Sequence, residues 1–272
     1  MVGLYLTVDV EEPPHNPGRA FAALIPLVEE LERSNIKATF FVVGERILEW
    51  KSGLQRLVAG NHEIGIHGWR HVPLNALSQR ELHDDLCRAR ASLAEATGVA
   101  PVGFRAPFFS LTSQTPWAPD IILDAGFEYS SSVLPAFNPQ AGFPGAPKTS
   151  FRWKNGLLEI PVPLFGFGKY SIPVTGGAYI RLLPKVLVSI ATKRFSFSHG
   201  HWAYAHPYDF DTEERFQRWE EMPWIASKLL FARRHLMLER VMSLASPQIG
   251  TLSHYAAQGL ELRTFDPWVR DE

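Results

Sequence analysis

Two apolar periods alternate along the first 130 residues of the chain. Residues 3–8 (GLYLTV), 37–44 (KATFFVVG), 62–67 (HEIGIH), 103–109 (GFRAPFF) and 128–133 (EYSSSV) are short runs with the pattern of buried strands. Helical segments lie between them. Residues 19–35 put Phe21, Leu24, Ile25, Val28 and Leu31 on one stripe, and residues 45–60 do the same with Ile47, Leu54, Leu57 and Val58. Ser78 opens a long helix that runs to about Gly98, with a capping box from Ser78 to Glu81, and residues 118–126 lie in a further helix. Strand, helix, strand repeated in this way predicts parallel strands joined by crossover helices, as a doubly wound sheet or an α/β barrel. No Gly-x-Gly-x-x-Gly follows the first strand and no P-loop occurs, which disfavours the dinucleotide-binding version.

Beyond residue 134 the pattern loosens. Residues 135–147 (PAFNPQAGFPGAP) predict a loop, and 156–164 a strand with edge character because of its prolines. Residues 172–184 are irregular. A helix is expected near 182–193, a strand pair around 195–206, a long helix over 226–245 and a last strand over 250–256. No internal repeat and no polar linker is visible, so a single domain over residues 1–272 is expected.

Composition narrows the function classes. Lys and Arg number 27 against 28 Asp and Glu, and this balance argues against an electrostatic nucleic-acid binder. The single cysteine, Cys87, excludes an intrachain disulfide and reads as buried helix filler. The N-terminus lacks a basic leader followed by an apolar run, and no window reaches 18 apolar residues. The expectation is a soluble cytoplasmic protein without a membrane span. The helix at 226–245 carries Lys228, Arg233, Arg234, His235 and Arg240 beside Leu and Phe. It either packs on the barrel or makes a peripheral contact with a membrane or partner.

Candidate chemistry collects where parallel strands end, because functional side chains gather at the C-terminal rim of such sheets. The first strand ends in Asp9, Glu11 and Glu12, the third in His67 with His71 four residues on, the fourth carries Arg105, and a late strand ends in His206. His-x-x-x-His alone also arises in structural roles, and "EEPP" alone can cap a loop. Together on successive strands they point to a metal. Two imidazoles and one carboxylate leave open coordination positions, as in catalytic sites, and a bound water is then acidified to roughly pKa 7. A further carboxylate can take the proton and a histidine can protonate a leaving group. His62, far from the strand's C-terminal end, is expected to make a structural hydrogen bond.

The stretches "LTVDVEE", "NHEIGIHGWRH" and "FRAPFF" resemble the first three motifs of the polysaccharide deacetylases, the NodB-homology carbohydrate esterases. The spaced Thr7-Val8-Asp9-Val10-Glu11 form, with "EIPVPLFGFG", "PVTGGAYIRLLP" and "YAHPYDFD", is similar to the branch acting on bacterial surface polysaccharides and exopolysaccharides. The resemblance spans residues 3 to 256. It implies a distorted (β/α) barrel of about seven parallel strands and a divalent metal, zinc first, with cobalt or nickel as alternatives. It implies Asp9 as catalytic base, Arg105 as its orienting partner, and His67, His71 and Glu11 as metal ligands, with Glu12 as the alternative carboxylate. Phe108 would offer its backbone N–H to an oxyanion, and His206 would be the general acid, with Asp209 or Asp211 as its partner. Trp69, Phe109 and Trp202 are either stacking surfaces for sugar rings or core. The implied reaction is removal of an N-acetyl group from a glycan or glycan precursor, releasing acetate. Hydrolysis of another C–N bond, a formamide or a cyclic ureide, and a degenerate sugar-binding protein remain the alternatives.

Overall fold

The computed structural model describes residues 3–13, 17–138, 141–166, 171–194, 199–219 and 223–267. Its strands are β1 (Tyr5–Val10), β2 (Ala38–Val42), β3 (Glu63–Ile66), β4 (Gly103–Phe104), β5 (Tyr129–Ser130), β6 (Phe151–Trp153), β7 (Leu158–Glu159), β8 (Trp202–Ala205) and β9 (Thr264–Phe265). They form one sheet in the order β8-β1-β2-β3-β4-β5-β7-β6-β9. From β8 to β7 all neighbours are parallel, which makes seven parallel strands, while β6 returns antiparallel to β7 and carries β9 at the far edge. The helices are α1 (Ala20–Arg33), α2 (Lys51–Ala59), α3 (Gln79–Thr97), α4 (Ala118–Asp124), α5 (Gly177–Leu182), α6 (Lys185–Thr192), α7 (Pro207–Phe210), α8 (Trp224–Phe231), α9 (Met237–Met242) and α10 (Leu252–Ala256).

Side-chain alternation curls this sheet into a distorted barrel. On β1 and β2, Leu6, Val8, Phe40 and Val42 join Leu24, Leu27, Leu31 and Leu54 in the outer core between sheet and helices. Tyr5 and Phe41, from the same strands, face inward and cluster with Tyr129, Leu158, Ile160 and Trp202. No strand ladder joins β7 to β8 among the described residues, and the seam is crossed by Trp202 Nε1, which donates to the Ile160 carbonyl at 3.4 Å. The lower end is plugged by α10. Its Tyr255 packs edge-on against Tyr5, and its Ser253 N–H donates to Glu63 at 2.8 Å.

Several expectations are corrected by tertiary contacts. Residues 250–256 form a helix, because Thr251 caps it and turns Leu252 and Tyr255, three apart, into the barrel. The long helix over 226–245 is broken: Arg233 adopts φ +57°, and Arg234 turns inward to pair with Glu214 at 2.7 Å. The helix expected near 182–193 is α6, and the stretch 172–184, expected to be irregular, holds a further helix, α5, ahead of Pro184. Residues 45–60 begin with a 3₁₀ turn because the Gly44 and Glu45 N–H groups donate to Gly68 and Trp69 carbonyls. The strand over 156–164 pairs on both sides at β7 and is not an edge, its prolines lying beyond the two paired residues. The strand over 103–109 stops at Phe104. Of the pair around 195–206 only β8 is seen, and residues 195–198 lie outside the described residues. Cys87 is exposed on α3, not buried, and its Sγ lies 3.7 Å from Nε2 of His83 one turn earlier. No helix among the described residues is long and apolar enough to cross a membrane.

His62 has the structural role expected of it. Its Nδ1 accepts the Ala38 N–H at 3.2 Å, tying β2 to the start of β3. Burial, helped by Lys37, pushes its pKa down from 6.5 to about 4. The unfolded chain therefore takes up this proton first, so stability is full above about pH 6.5 and is lost as pH falls toward 4, by up to roughly 3 kcal/mol. His62→Asn, which keeps an acceptor but does not titrate, is expected to flatten that part of the acid limb in urea titrations at pH 7 and 4.5. An unchanged pH dependence would reject the assignment.

Candidate metal centre

The period of β1 builds the first wall of the site. Tyr5, Thr7 and Asp9 alternate inward, and Glu11, two residues past Asp9, continues on that face at the rim. Glu12 turns the other way and accepts the Arg19 and Ala20 N–H groups at 3.2 and 3.3 Å, capping α1. Of the two glutamates, Glu11 is therefore the one whose carboxylate meets the histidines.

Glu11, His67 and His71 bring one ligand atom each to within 4.8 Å of one another. Glu11 Oε2 lies 2.5 Å from His71 Nε2 and 4.0 Å from His67 Nε2. His67 Nδ1 sits 2.9 Å from the Arg105 carbonyl, which only accepts, so the proton is on Nδ1 and the Nε2 lone pair faces Glu11. Burial, only partly offset by Asp9, pushes His67 down to about 4, so it is a neutral imidazole near pH 7. For Glu11, burial acts upward, but the charge of His206 and the bond and charge of His71 outweigh it, and its pKa falls to about 2. An ionised carboxylate and a neutral, oriented imidazole fit a divalent cation. His71 reaches its place through a turn in which Gly68 (φ +74°) and His71 itself (φ +54°) are left-handed. A β-carbon at Gly68 would lie 3.1 Å from Pro107, on the neighbouring motif.

Asp9 lies deeper, against Arg105. Arg105 Nη1 donates to Asp9 Oδ1 at 2.6 Å and to Thr7 at 2.9 Å, while Nε and Nη2 donate to the Ser131 carbonyl and hydroxyl. The guanidinium is sandwiched between Phe41 and Trp202, 4.2 and 4.1 Å from their ring centres. Every face of this wholly buried cation is therefore occupied, which is what lets it sit inside a barrel. After Ala106, whose N–H donates to Ser132, the chain turns sharply, and Phe108 and Phe109 both adopt positive φ, 58° and 53°. Two such residues together cost about 1–2 kcal/mol each. The Phe108 N–H finds no acceptor among the described residues, and its half-exposed ring packs against His71, tilted by 55° with the ring centres 4.7 Å apart.

His206 closes the site from β8. Its Nε2 is 3.8 Å from Glu11 Oε1, and Asp209 Oδ2 takes its backbone N–H at 2.9 Å and lies 3.4 Å from its Nδ1. Asp211 is engaged elsewhere, in a bidentate pair with Arg19, so Asp209 is the acidic partner. Burial acts downward on His206, but the Asp209 bond and the charges of Glu11, Asp209 and Asp9 prevail, and its pKa rises to about 9. Tyr208 lies flat against the ring at 4.7 Å.

The sequence reading missed the groups that hold this arrangement. Arg181 Nε donates to Asp209 Oδ1 at 2.8 Å, and both side chains are buried. Gly177 makes room, since a β-carbon there would fall on Asp209 Oδ2. The glycine pair ahead of an arginine in "TGGAYIRL" was the available signal. Arg181→Met would leave Asp209 a buried, half-supported carboxylate, and a loss of about 3–5 kcal/mol is expected in urea denaturation. A loss below about 1 kcal/mol would mean the pair is dispensable. Ser131, Ser132 and Glu159, which accepts the Ser132 and Val133 N–H groups, were read only as strand. Of the candidate stacking rings, Trp202 is wholly buried on Arg105, and Trp69 packs on the outer core under Arg88. Phe109 packs between Trp202 and Tyr204.

A family model described as polysaccharide deacetylase matches residues 4–129, and a model described as a domain of unknown function (DUF3473) matches residues 131–255. Chitin deacetylase 1 of Cryptococcus neoformans var. grubii is 38% identical over 82 residues, covering 30% of this chain and 17% of that protein. Peptidoglycan-N-acetylglucosamine deacetylase PgdA of Listeria monocytogenes is 28% identical over 88 residues, covering 32% of this chain and 19% of that protein. Each match thus spans under a fifth of the relative's own length. A crystal structure from Mycobacterium smegmatis, titled as a polysaccharide deacetylase, superposes with a TM-score of 0.57 at 22% identity, covering 97% of this chain and 94% of that one. That likeness establishes a shared fold over nearly the whole length, and both matched segments contribute strands to the one barrel. With the deacetylase match falling on the segment that supplies Asp9, Glu11, His67, His71 and Arg105, the chain belongs over residues 4–129 to the NodB-homology polysaccharide deacetylase family.

Proposed function

We propose that this protein is a metal-dependent carbohydrate N-deacetylase acting on an N-acetylated sugar of a bacterial surface polysaccharide or its precursor. The observation that carries the reading is the convergence, on one rim, of a three-residue ligand group, a buried Asp9–Arg105 pair and a His206–Asp209 pair. A divalent ion held by Glu11, His67 and His71, zinc first with cobalt or nickel as alternatives, would supply Lewis-acid polarisation of the acetamide carbonyl and acidify a water. Asp9, held by Arg105, takes the proton from the attacking water. The Phe108 N–H, left by the strained turn without an acceptor among the described residues, donates to the oxyanion, a contribution of about 3–4 kcal/mol in comparable sites. His206 is protonated near neutrality and delivers its proton to the departing nitrogen as the C–N bond breaks. The products are acetate and a free amino sugar. The half-exposed Phe108 ring offers a stacking surface for the sugar.

The test is incubation of the zinc-loaded protein with chitooligosaccharides, measuring acetate and free amine together. Equal amounts of both are expected. Formate from formamides, or a ring-opened acid from cyclic ureides, with no acetate from any N-acetylated sugar, would replace this reading.

A further inference from the structure

Two helices of the second half present apolar side chains to solvent. Helix α6 turns Val188, Ala191 and Thr192 inward and leaves Val186, Leu187 and Ile190 outside. Helix α8, with the sequence WIASKLLF, buries only Ser227 and leaves Trp224, Ile225 and Leu229 outside. These six side chains are between 45% and 68% exposed. A helix apolar on nearly every side ordinarily sits in a core, so α8 in water lacks a covering surface. The two helices adjoin through α5. Arg181 Nη1 donates to the Leu229 carbonyl at 3.3 Å and Arg233 Nη1 to the Leu182 carbonyl at 3.1 Å, just ahead of α6.

Charge says what covers them. The chain as a whole balances 27 basic against 28 acidic residues. Residues 185–194 and 223–236 nevertheless carry Lys185, Lys193, Arg194, Lys228, Arg233 and Arg234 with no Asp or Glu (Glu220 and Glu221, just before α8, lie outside the described residues). Lys185 and Arg234 pair with Glu239 and Glu214; the other four make no ion pair among the described residues. Lys228 Nζ sits 3.7 Å over the Trp224 ring. Behind α6 a cleft of about 370 Å³ is lined by Ile180, Val188 and Leu244 together with Lys185, Lys193 and Arg240.

We propose that α6 and α8 form a docking face for an anionic phospholipid bilayer. Aliphatic side chains flanked by lysine and arginine, with an exposed tryptophan, match the boundary between headgroups and acyl chains, and the unpaired cations match anionic headgroups. A second copy of the chain is disfavoured, because a two-fold contact would set the same cations against each other. The face also adjoins the catalytic rim. Ser227 of α8 bonds both backbone groups of Trp219, Trp219 packs on Tyr208, and Tyr208 stacks on His206.

Co-sedimentation of the full chain with vesicles of phosphatidylcholine alone, or of phosphatidylcholine with phosphatidylglycerol, tests this without reference to catalysis. Pelleting is expected with the mixed vesicles only and should weaken in high salt. Ile225→Ser/Leu229→Ser, Val186→Ser/Leu187→Ser and Lys193→Glu/Arg194→Glu should each lower partitioning about tenfold, with melting temperatures and gel-filtration volumes unchanged. The proposal is overturned by wild-type protein that stays in the supernatant or binds both vesicles equally. It is overturned too by folded variants that bind like wild type, or by a solution dimer that the Ile225→Ser/Leu229→Ser variant splits.

Discussion

Purified without chelator, the protein is expected to carry about one divalent metal ion per chain, and the His67→Ala/His71→Ala variant none. The ligand atoms of Glu11, His67 and His71 already lie together, and two of the three are in the ionisation state a metal needs. His67 is further held by the Arg105 carbonyl, so its ring need not reorient to bind. Removing both imidazoles leaves one carboxylate, too few donors for a four-coordinate site. Acetate release should fall to background in the variant and in chelator-treated wild type, and return on adding zinc to wild type only. A thermal readout separates metal loss from misfolding: with free metal at 100 times its Kd the folded state gains about 2.7 kcal/mol, seen as a raised Tm in wild type and absent in the variant. Wild-type protein that holds no metal even in excess zinc, cobalt or nickel would end the hydrolase reading and favour the sugar-binding alternative.

The second large effect is expected at Asp9. Asp9→Asn keeps an oxygen for the Arg105 Nη1–H but removes the proton acceptor, so kcat for acetate release should drop about 10²- to 10⁴-fold with metal content unchanged. Burial adds a structural consequence. Arg105 is fully buried and its one carboxylate partner among the described residues is Asp9, so neutralising that partner strands a cation, for which a loss of up to about 3–5 kcal/mol is expected. The Asn oxygen and the ring faces of Phe41 and Trp202 offset part of it. Metal analysis and a urea titration on the same preparation keep catalytic and structural effects apart. If kcat stays within a few-fold of wild type in a folded, metal-loaded variant, Asp9 is only the counter-ion of Arg105 and the base lies elsewhere.

Much of the site was legible because its parts are local. Histidines four apart after a strand, an acidic cluster after the first strand and an arginine after the fourth can be read from spacing alone, and they do converge. The choice of Glu11 over Glu12 was also within reach: the period of two that turns Asp9 inward turns Glu11 with it and Glu12 away. Asp209 over Asp211 was not, since the two differ only in which distant arginine claims them, Arg181 or Arg19. Cys87 shows the same limit. Its place on α3 gave no sign that its face of the helix is open to solvent.

By itself the sequence determined the β/α alternation of the first half, the parallel strands and crossover helices that follow from it, and the residue types that can bind a metal and move protons, while barrel against doubly wound sheet stayed open to the periodicity. Those properties are carried by hydrophobic period and side-chain chemistry, which each residue brings with it. Only the tertiary structure decided where α8 stops, that residues 250–256 coil into a plug, that Trp202 serves Arg105 rather than a sugar, and that Arg181 stands behind His206. Each of these depends on a partner far away along the chain: Glu214 for Arg234, Tyr5 for Tyr255, Phe41 and Trp202 for Arg105, Asp209 for Arg181. Burial of a charge or a capped turn is favourable only when that partner arrives, and local pattern carries no record of it.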